Sequence, residues 1–471
     1  MQSDIGMAVD NYDSAIIGAG QAAPALAVKL AQRGEKVVLI EAQRLGGTCV
    51  NNGCTPTKTL RKSARVAYLA RRAGEFGVDV GPVTVDFGRA MARMCERVDA
   101  SRAALENWLR NNNVDVVVAQ GRLDGRQNGQ FRIVAGERKI DAGKVFLNTG
   151  TRPLMPPIPG LADTPALDNR SLLALATLPT QLVIVGGSYI GLEMAQIFRR
   201  LGSEVTVIEG GATVASREDP DISAMIRECL EEEGVVVRTG ARISSISRQA
   251  GAILVKLDGG AVTGTHLLVA TGRTPNTDAL GLESVGLQIG PRGYVTTNDR
   301  LETAVPGIWA LGDINGRGAF THTSYHDFEI VAENLAGGSR SADDRVMTYA
   351  MFTDPPLGHV GLHRYEAQKL ADQGRNVLVA EHDMKHVSRA KEESELAGRI
   401  RIIVDGESRK VLGATVLGLN GDELVQTFSN FMAAGGDWKA MRDALPVHPT
   451  VTEFMPTILD KLTPLQRSLN S

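Results

Sequence analysis

Ser14-Ala15-Ile16-Ile17-Gly18-Ala19-Gly20-Gln21-Ala22-Ala23 reads as an apolar strand running into a glycine turn and then a helix. A second apolar run, Lys36-Val37-Val38-Leu39-Ile40, ends in Glu41. The pattern recurs: Leu182-Val183-Ile184-Val185-Gly186-Gly187-Ser188-Tyr189-Ile190-Gly191, followed by Glu204-Val205-Thr206-Val207-Ile208 and Glu209. In both copies the first glycine precedes the acid by 23 positions. Two copies at matched spacing point to two dinucleotide-binding βαβ units. In the first, Gly18 makes the tight turn, Gly20 admits a pyrophosphate to the backbone, and Ala23 packs helix on strand. The phosphates belong at the helix N-terminus, where free N–H groups favour anions, and Glu41 would accept ribose hydroxyls. In the second, Gly186 and Gly191 are in place, while Ser188 crowds the approach with its Cβ. Glu209 favours a free 2′-hydroxyl, so NADH is expected over NADPH, although Arg217 keeps NADPH open.

A second pair of segments matches. Val145-Phe146-Leu147-Asn148-Thr149-Gly150-Thr151-Arg152-Pro153 parallels Leu267-Leu268-Val269-Ala270-Thr271-Gly272-Arg273-Thr274-Pro275. Both read as buried strands ending in a Thr-Gly turn. The expected layout is α/β: two Rossmann-like nucleotide-binding domains, one inserted in the other, then a C-terminal α+β domain. The expected boundaries are 1–152, an insert at 153–273, a return at 274–345, and a last domain at 346–471. The proline-rich stretch Pro153–Pro159 is the expected crossing linker. Gly307–Asp313 is a strand ending in Gly312-Asp313, where the carboxylate can take a hydroxyl hydrogen bond from a cofactor. A helix expected to begin near Thr321–Ser324 could aim its N-terminus at an anionic ring. Beyond Tyr349 the glycine turns stop and shorter strands appear, followed by a helix from about Asp422 to Ala434.

Length and composition fit this layout. A chain of 471 residues is too long for one core. Apolar content of 43% and charge of 22% read as soluble and globular. Net charge is −3, with no basic run of the kind that binds nucleic acid. No apolar run reaches membrane-spanning length, and Met1-Gln2-Ser3-Asp4-Ile5-Gly6 does not read as a signal peptide. Four cysteines fit a reducing cytosol, so a cytoplasmic location is expected.

Two of those cysteines lie in Gly46-Gly47-Thr48-Cys49-Val50-Asn51-Asn52-Gly53-Cys54-Thr55-Pro56-Thr57-Lys58. In an ideal helix, residues five apart lie roughly 8.7 Å apart, whereas disulfide Cα atoms approach within about 7 Å. A Cys49–Cys54 bond therefore demands a distorted helix, which Gly53 permits. A structural disulfide, two unrelated thiols and a metal-binding pair are the other readings; the last lacks a second ligand pair. Pro56 suits a first helical turn, so a helix should begin near Cys54. Cys54 then sits at the positive end of a dipole, with Lys58 on the same face. Cys95 and Cys229 read as ordinary helix residues.

His448 and Glu453 suit an acid–base pair, an imidazole with a carboxylate to fix its tautomer, in a loop restricted by Pro446 and Pro449. His322 and His326 read as hydrogen-bonded structural residues. His266, His359, His363, His382 and His386 form no ligand pattern, and no metal site is expected. The run Arg389-Ala390-Lys391-Glu392-Glu393 reads as a solvated face.

Taken in order along the chain, these motifs resemble the pyridine nucleotide–disulfide oxidoreductases, the family of glutathione reductase, lipoamide dehydrogenase and mercuric reductase. The stretch from Gly46 to Lys58 carries the resemblance most specifically. It implies FAD in the first domain, held through Gly18, Gly20, Ala23, Glu41, Gly47, Thr48, Thr149, Gly150, Gly312 and Asp313, with Asp313 on the ribitol. It implies NAD(P)H in the second, at Gly186, Gly191, Glu209, Gly272 and Arg273. Lys58 and Glu193 resemble the ion pair beside the flavin. The last domain would form a homodimer with shared active sites, His448 reaching the cysteines of the other subunit. Electrons would pass from nicotinamide through flavin to the Cys49–Cys54 disulfide, with Cys54 facing the ring. Cys49 would then attack the substrate, and His448, oriented by Glu453, would protonate the leaving thiolate.

Phe352-Thr353-Asp354-Pro355-Pro356-Leu357-Gly358 and Phe320-Thr321-His322-Thr323-Ser324-Tyr325 lean toward the mercuric-reductase-like branch. No cysteine follows Cys229, however, and the tail Ser468-Leu469-Asn470-Ser471 lacks that branch's cysteine pair. The expected substrate is a small-molecule disulfide or a protein-bound lipoyl group. A metal-ion reductase on the same scaffold, or a redox-sensing flavoprotein subunit of a larger complex, is the alternative.

Overall fold

Strands covered on both faces read as unbroken apolar runs, and such runs build the two nucleotide sheets here. The computed structural model describes residues 9–249 and 251–467. The stretch Met1–Gly6 and the tail Ser468–Ser471 read above lie outside the described residues. Strand β1 (Val9–Ile17) leads into helix α1 (Ala23–Ala31) and strand β2 (Val37–Glu41). β1 lies parallel to β2, with Ile16 opposite Leu39, and parallel to Arg138–Leu147, with Ile16 opposite Phe146. Asp115–Val118 extends the sheet beyond β2, and two antiparallel strands, Gln130–Ala135 and Gly121–Gln127, extend it the other way. The late strand Ile308–Ala310 returns to pair in parallel with Arg138–Leu147.

Between these visits the chain builds a second parallel sheet around Gln181–Val185, flanked by Glu204–Ile208 and His266–Val269. A three-stranded antiparallel sheet packs beside it through Ile246, Ile253 and Val255. Departure and return run side by side: Thr151–Pro153 pairs antiparallel with Arg273–Pro275, Thr151 opposite Pro275. A six-stranded antiparallel sheet from Thr348 to Pro464 follows, with helix Gly421–Ala433 laying Val425 and Phe428 into its core. The fold is α/β, two Rossmann-like sheets followed by an α+β domain. Among the described residues no helix is long and apolar enough to cross a membrane.

The element that positions the chemistry is a broken helix. α2 (Gly47–Asn52) ends at Gly53, and α3 (Cys54–Arg71) starts immediately after it. α3 buries Leu60 and Ala64 in a cluster with Leu192, Phe198 and Met351. Burying a leucine contributes about 1.5–3 kcal/mol, so this face locks Cys54 against both the second nucleotide region and the C-terminal region. Asp354 receives Arg65 and Arg200, a polar anchor for the same wall.

Candidate active site

The two glycine turns are built alike down to their hydrogen bonds. Gly18 N–H donates to Ile40 O (2.7 Å) and Gly186 N–H to Ile208 O (2.9 Å). Glu41 accepts from Ala19 N–H at 2.8 Å and Gln43 N–H at 2.9 Å, while Glu209 accepts from Gly187 and Gly211 N–H, both at 2.7 Å. Each carboxylate thus stands at the mouth of its own turn. Gly18, at φ +94°, has no room for a side chain: a Cβ would lie 2.5 Å from Asn148 O. At Gly191 a Cβ would lie 2.0 Å from Gly186 O, so the second helix needs glycine to close on its strand. Ala23 fills the equivalent place in the first copy and is buried. Ser188 is exposed at the N-cap of helix Tyr189–Leu201 and makes no capping bond. Arg217 is exposed.

The dithiol is attached to the first turn. Gly46 N–H donates to Ala19 O (3.1 Å), Gln21 Nε2 donates to Gly46 O (2.9 Å), and a Cβ on Gly47 would lie 3.0 Å from the Gly20 Cα. Thr48 follows in α2. Gly53 adopts φ −133°, ψ −117°, and a Cβ there would press on Thr48 O at 2.9 Å. This is the distortion the cysteine spacing demanded. Asn51 holds the bend by donating to Leu45 O (2.8 Å) and Gly47 O (2.9 Å).

Cys49 and Cys54 are free thiols and close neighbours. The neighbouring Cys49 lowers Cys54 to about 6, helped by Thr321 Oγ1 at 3.3 Å and by the Lys58 cation. The same neighbour relation, together with burial, pushes Cys49 well above the thiol range. The sequence anticipated a low Cys54 from the helix terminus; the larger cause is the neighbouring sulfur. Lys58 Nζ meets Glu193 Oε2 at 2.9 Å and lies 4.1 Å from the centre of the Phe352 ring, whose backbone N–H donates to Glu193 Oε1 (2.9 Å). The ion pair expected from residues 135 apart is therefore formed.

Behind the dithiol, Asn148 joins the turns. Its Oδ1 accepts from Ala23 N–H (3.3 Å) and its Nδ2 donates to Leu311 O (2.6 Å), tying Gly18 to Gly312-Asp313. Sequence reading did not single it out; its burial directly after an apolar strand was the available signal. Thr149 and Gly150 bond to Asn276. Thr151 Oγ1 donates to Asp313 Oδ2 (2.9 Å) and accepts from Arg273 Nε (2.6 Å), beside Gly272. Burial raises the Asp313 carboxyl. Helix Thr321–Asn334 places its first residue on Cys54. His322 Nε2 lies 2.6 Å from Thr348 O, and His326 lies between Arg340 and Arg345, structural positions as read.

His448 Nδ1 meets Glu453 Oε2 at 2.6 Å. The imidazole is 78% exposed, just after a projecting Leu445 and Val447, and among the described residues its side chain bonds to Glu453. One expectation is corrected here: Arg389 is not simply a solvated charge, because its guanidinium donates to Pro449 O at 2.8 Å and braces the His448 loop. Lys391, Glu392 and Glu393 are exposed.

Paired nucleotide turns, one of them fused to a bent dithiol with a stabilised thiolate, define an oxidoreductase that moves electrons between a nucleotide and sulfur. The family model for pyridine nucleotide-disulphide oxidoreductases matches residues 12–327, and the model for their dimerisation domain matches 347–458. The chain is 34% identical to the probable pyridine nucleotide-disulfide oxidoreductase RclA of Escherichia coli, over 95% of this chain and 98% of that one. A solved Cu(II) complex of RclA superposes with a TM-score of 0.87 at 33% identity, covering 96% of this chain and 99% of that one. Dihydrolipoyl dehydrogenase of Bacillus subtilis is 30% identical over 94% of this chain and 96% of its own. Mercuric reductase of Acidithiobacillus ferrooxidans is 33% identical over 88% and 76%. The chain belongs to the pyridine nucleotide–disulphide oxidoreductases, FAD-dependent enzymes that use NAD(P)H and act on sulfur groups.

The thiolate gives a direct test. In the reduced protein, Cys54 should alkylate with a midpoint near pH 6: slow below it, where the thiol is protonated, and at a plateau above it. Lys58→Met removes a cation that favours the thiolate, so the midpoint should move upward. Mass spectrometry of iodoacetamide-labelled peptides across pH 4–9 reads both; a midpoint near the ordinary thiol value would refute the coupling of the two sulfurs.

Proposed function

We propose that this chain is an FAD-dependent NAD(P)H:disulfide oxidoreductase whose substrate is a small-molecule disulfide or a protein-bound lipoyl group. The observation that carries the reading is the pair of neighbouring thiols, Cys49 and Cys54, on a bend docked to the first glycine turn. FAD belongs in the segments 1–152 and 274–345, at Gly18, Gly20, Ala23, Glu41, Gly47, Thr48, Thr149, Gly150, Gly312 and Asp313. NAD(P)H belongs in 153–273, at Gly186, Gly191, Glu209, Gly272 and Arg273. The residues fit such ligands: the backbone at Gly18 and Gly20 is bare, a carboxylate guards each turn, and Asp313 offers a half-buried acceptor. When bound, the flavin supplies electron-pair transfer between nicotinamide and sulfur.

The chain's own groups do the rest. Lys58 favours the Cys54 thiolate, while Cys49 keeps its proton. Before Cys49 attacks a substrate disulfide, that proton must leave, which calls for a base. His448 paired with Glu453 is the candidate, and it then returns the proton to the departing thiolate. Its exposure on the dimerisation domain supports delivery to the partner subunit of a homodimer. A shallow cleft of about 660 Å³ beside Thr55 is lined by Lys58, Lys62, Arg93 and Arg97, which suits a substrate carrying carboxylates. Four cysteines support a cytoplasmic location. Metal-ion reduction is the second reading, favoured by the Cu(II) complex formed by RclA; NAD(P)H oxidation supported by Cu(II) or Hg(II) but by no disulfide would select it.

Cys49→Ser should leave flavin bound, seen in the visible spectrum, and abolish disulfide reduction; retained turnover would overturn the mechanism. His448→Gln should slow turnover by roughly 10²- to 10⁴-fold, the span of a general acid–base, without changing the Cys54 midpoint. An unchanged rate removes His448 from the site. Glu209→Ala should shift the ratio of kcat/KM values toward NADPH, since a carboxylate repels a 2′-phosphate; an unchanged ratio would refute the ribose role.

A further inference from the structure

Away from the dithiol, three buried side chains meet where the second nucleotide region touches the C-terminal sheet. Glu218 precedes helix Pro220–Glu232, His359 lies in strand Leu357–Gly361, and His363 is the N-cap residue of helix Arg364–Asp372. Each is more than nine-tenths buried, at 4%, 1% and 7% exposure. One ligand-capable atom from each lies within 4.8 Å of the other two. The imidazoles stack with centroids 3.7 Å apart and planes 6° from parallel.

The hydrogen bonds fix which atoms are acceptors. Glu218 Oε1 receives two phenol hydroxyls, Tyr189 at 2.6 Å and Tyr349 at 2.9 Å. Tyr349 has then spent its only proton, so His363 Nε2, 3.0 Å from that hydroxyl, is the donor. Among the described residues, His363 Nδ1 is left a bare lone pair with no partner, and Glu218 Oε2 also has none. His359 Nε2 lies 3.0 Å from Gly361 O, a carbonyl that can only accept, so its Nδ1 is the acceptor, met by the Thr415 hydroxyl at 2.9 Å. The nearby Arg401 guanidinium cannot answer these acceptors, because Asp219, Asp221 and Glu381 engage it at 2.6–2.7 Å. Orphaned buried acceptors are costly, and a cluster of them lacks one thing: a cation.

We propose that Glu218, His359 and His363 form a binding site for a borderline divalent cation of the zinc type, separate from the Cys49–Cys54 pair. Two imidazoles and a carboxylate are a donor set such ions take, leaving a fourth position for water. Bonds of about 2.0–2.2 Å place tetrahedral ligand atoms roughly 3.4 Å apart, so the cluster closes slightly and the stacked rings turn until their lone pairs converge. The Gly361 carbonyl on His359 and the Tyr349 hydroxyl on His363 hold each ring by its far nitrogen, as outer contacts of metal-bound histidines do. The Thr415 hydroxyl rotates away. The ion joins the two regions, and through Glu218 it fixes Tyr189, the first residue of the helix behind the second glycine turn. This departs from the sequence expectation of no metal site.

The test uses FAD-loaded full-length protein with its reduced cysteines alkylated, equilibrated with zinc(II) and freed of excess by gel filtration. Elemental analysis should find about one zinc per chain. Glu218→Gln and His363→Gln, compared at matched flavin content and circular dichroism, should lower retention at least tenfold. X-ray absorption at the zinc edge of the wild type needs no variant. It should show only nitrogen and oxygen neighbours near 2.0–2.1 Å, with imidazole scattering. Zinc no better retained than by the variants, or a first shell containing sulfur, would overturn the proposal.

Discussion

The closeness of two sulfur atoms is the constraint on which the rest of this molecule's chemistry depends. Cys54 is favoured as a thiolate by its neighbour Cys49, and Cys49 is held protonated by that neighbour and by burial. The arrangement divides labour within one pair: one sulfur is ready to exchange electrons, and the other waits for a base. The arrangement depends on the helix breaking at Gly53, where a side chain would press on Thr48 O, and on Asn51, which ties the bend down. An unbroken helix through Gly47–Arg71 would carry the cysteines too far apart for any such contact.

Around this pair the scaffold is a duplication. Each glycine turn hydrogen-bonds to the strand beside it, and each is closed by a carboxylate accepting two backbone N–H groups. The first copy also docks the dithiol bend through Gly46 and Gly47, so nucleotide turn and thiols share one rigid unit. The second copy is bound to that unit by the buried face of α3 and by the Lys58–Glu193 pair.

Much of this was legible in the residues because the signals are local. Strand, glycine turn and terminal acid lie within one stretch, and their spacing repeats. The bend was legible because five-residue spacing and disulfide geometry conflict unless a glycine intervenes. The shorter strands expected beyond Tyr349 include Arg399–Asp405 and Val411–Leu417. What stayed hidden depends on distant partners. Asn148 is one polar residue after a strand until the fold brings Ala23 and Leu311 to it. His359 and His363 are four apart across a strand end and a helix cap, a spacing with no helical meaning, and Glu218 reaches them from another domain. Arg389 was read as a surface charge because the Pro449 carbonyl it holds lies 60 residues away.

The paired strands Thr151–Pro153 and Arg273–Pro275 have a consequence for how the chain tolerates change. Since the exit and re-entry points are hydrogen-bonded neighbours, the host sheet experiences everything between them as it would a tight hairpin. Lengthening a loop of the intervening stretch away from Leu192, Glu193 and Phe198 costs only a small closure entropy and leaves the paired strands in place. The inserted region can in that sense drift in size at its periphery, while the residues that meet α3 and Lys58 stay fixed.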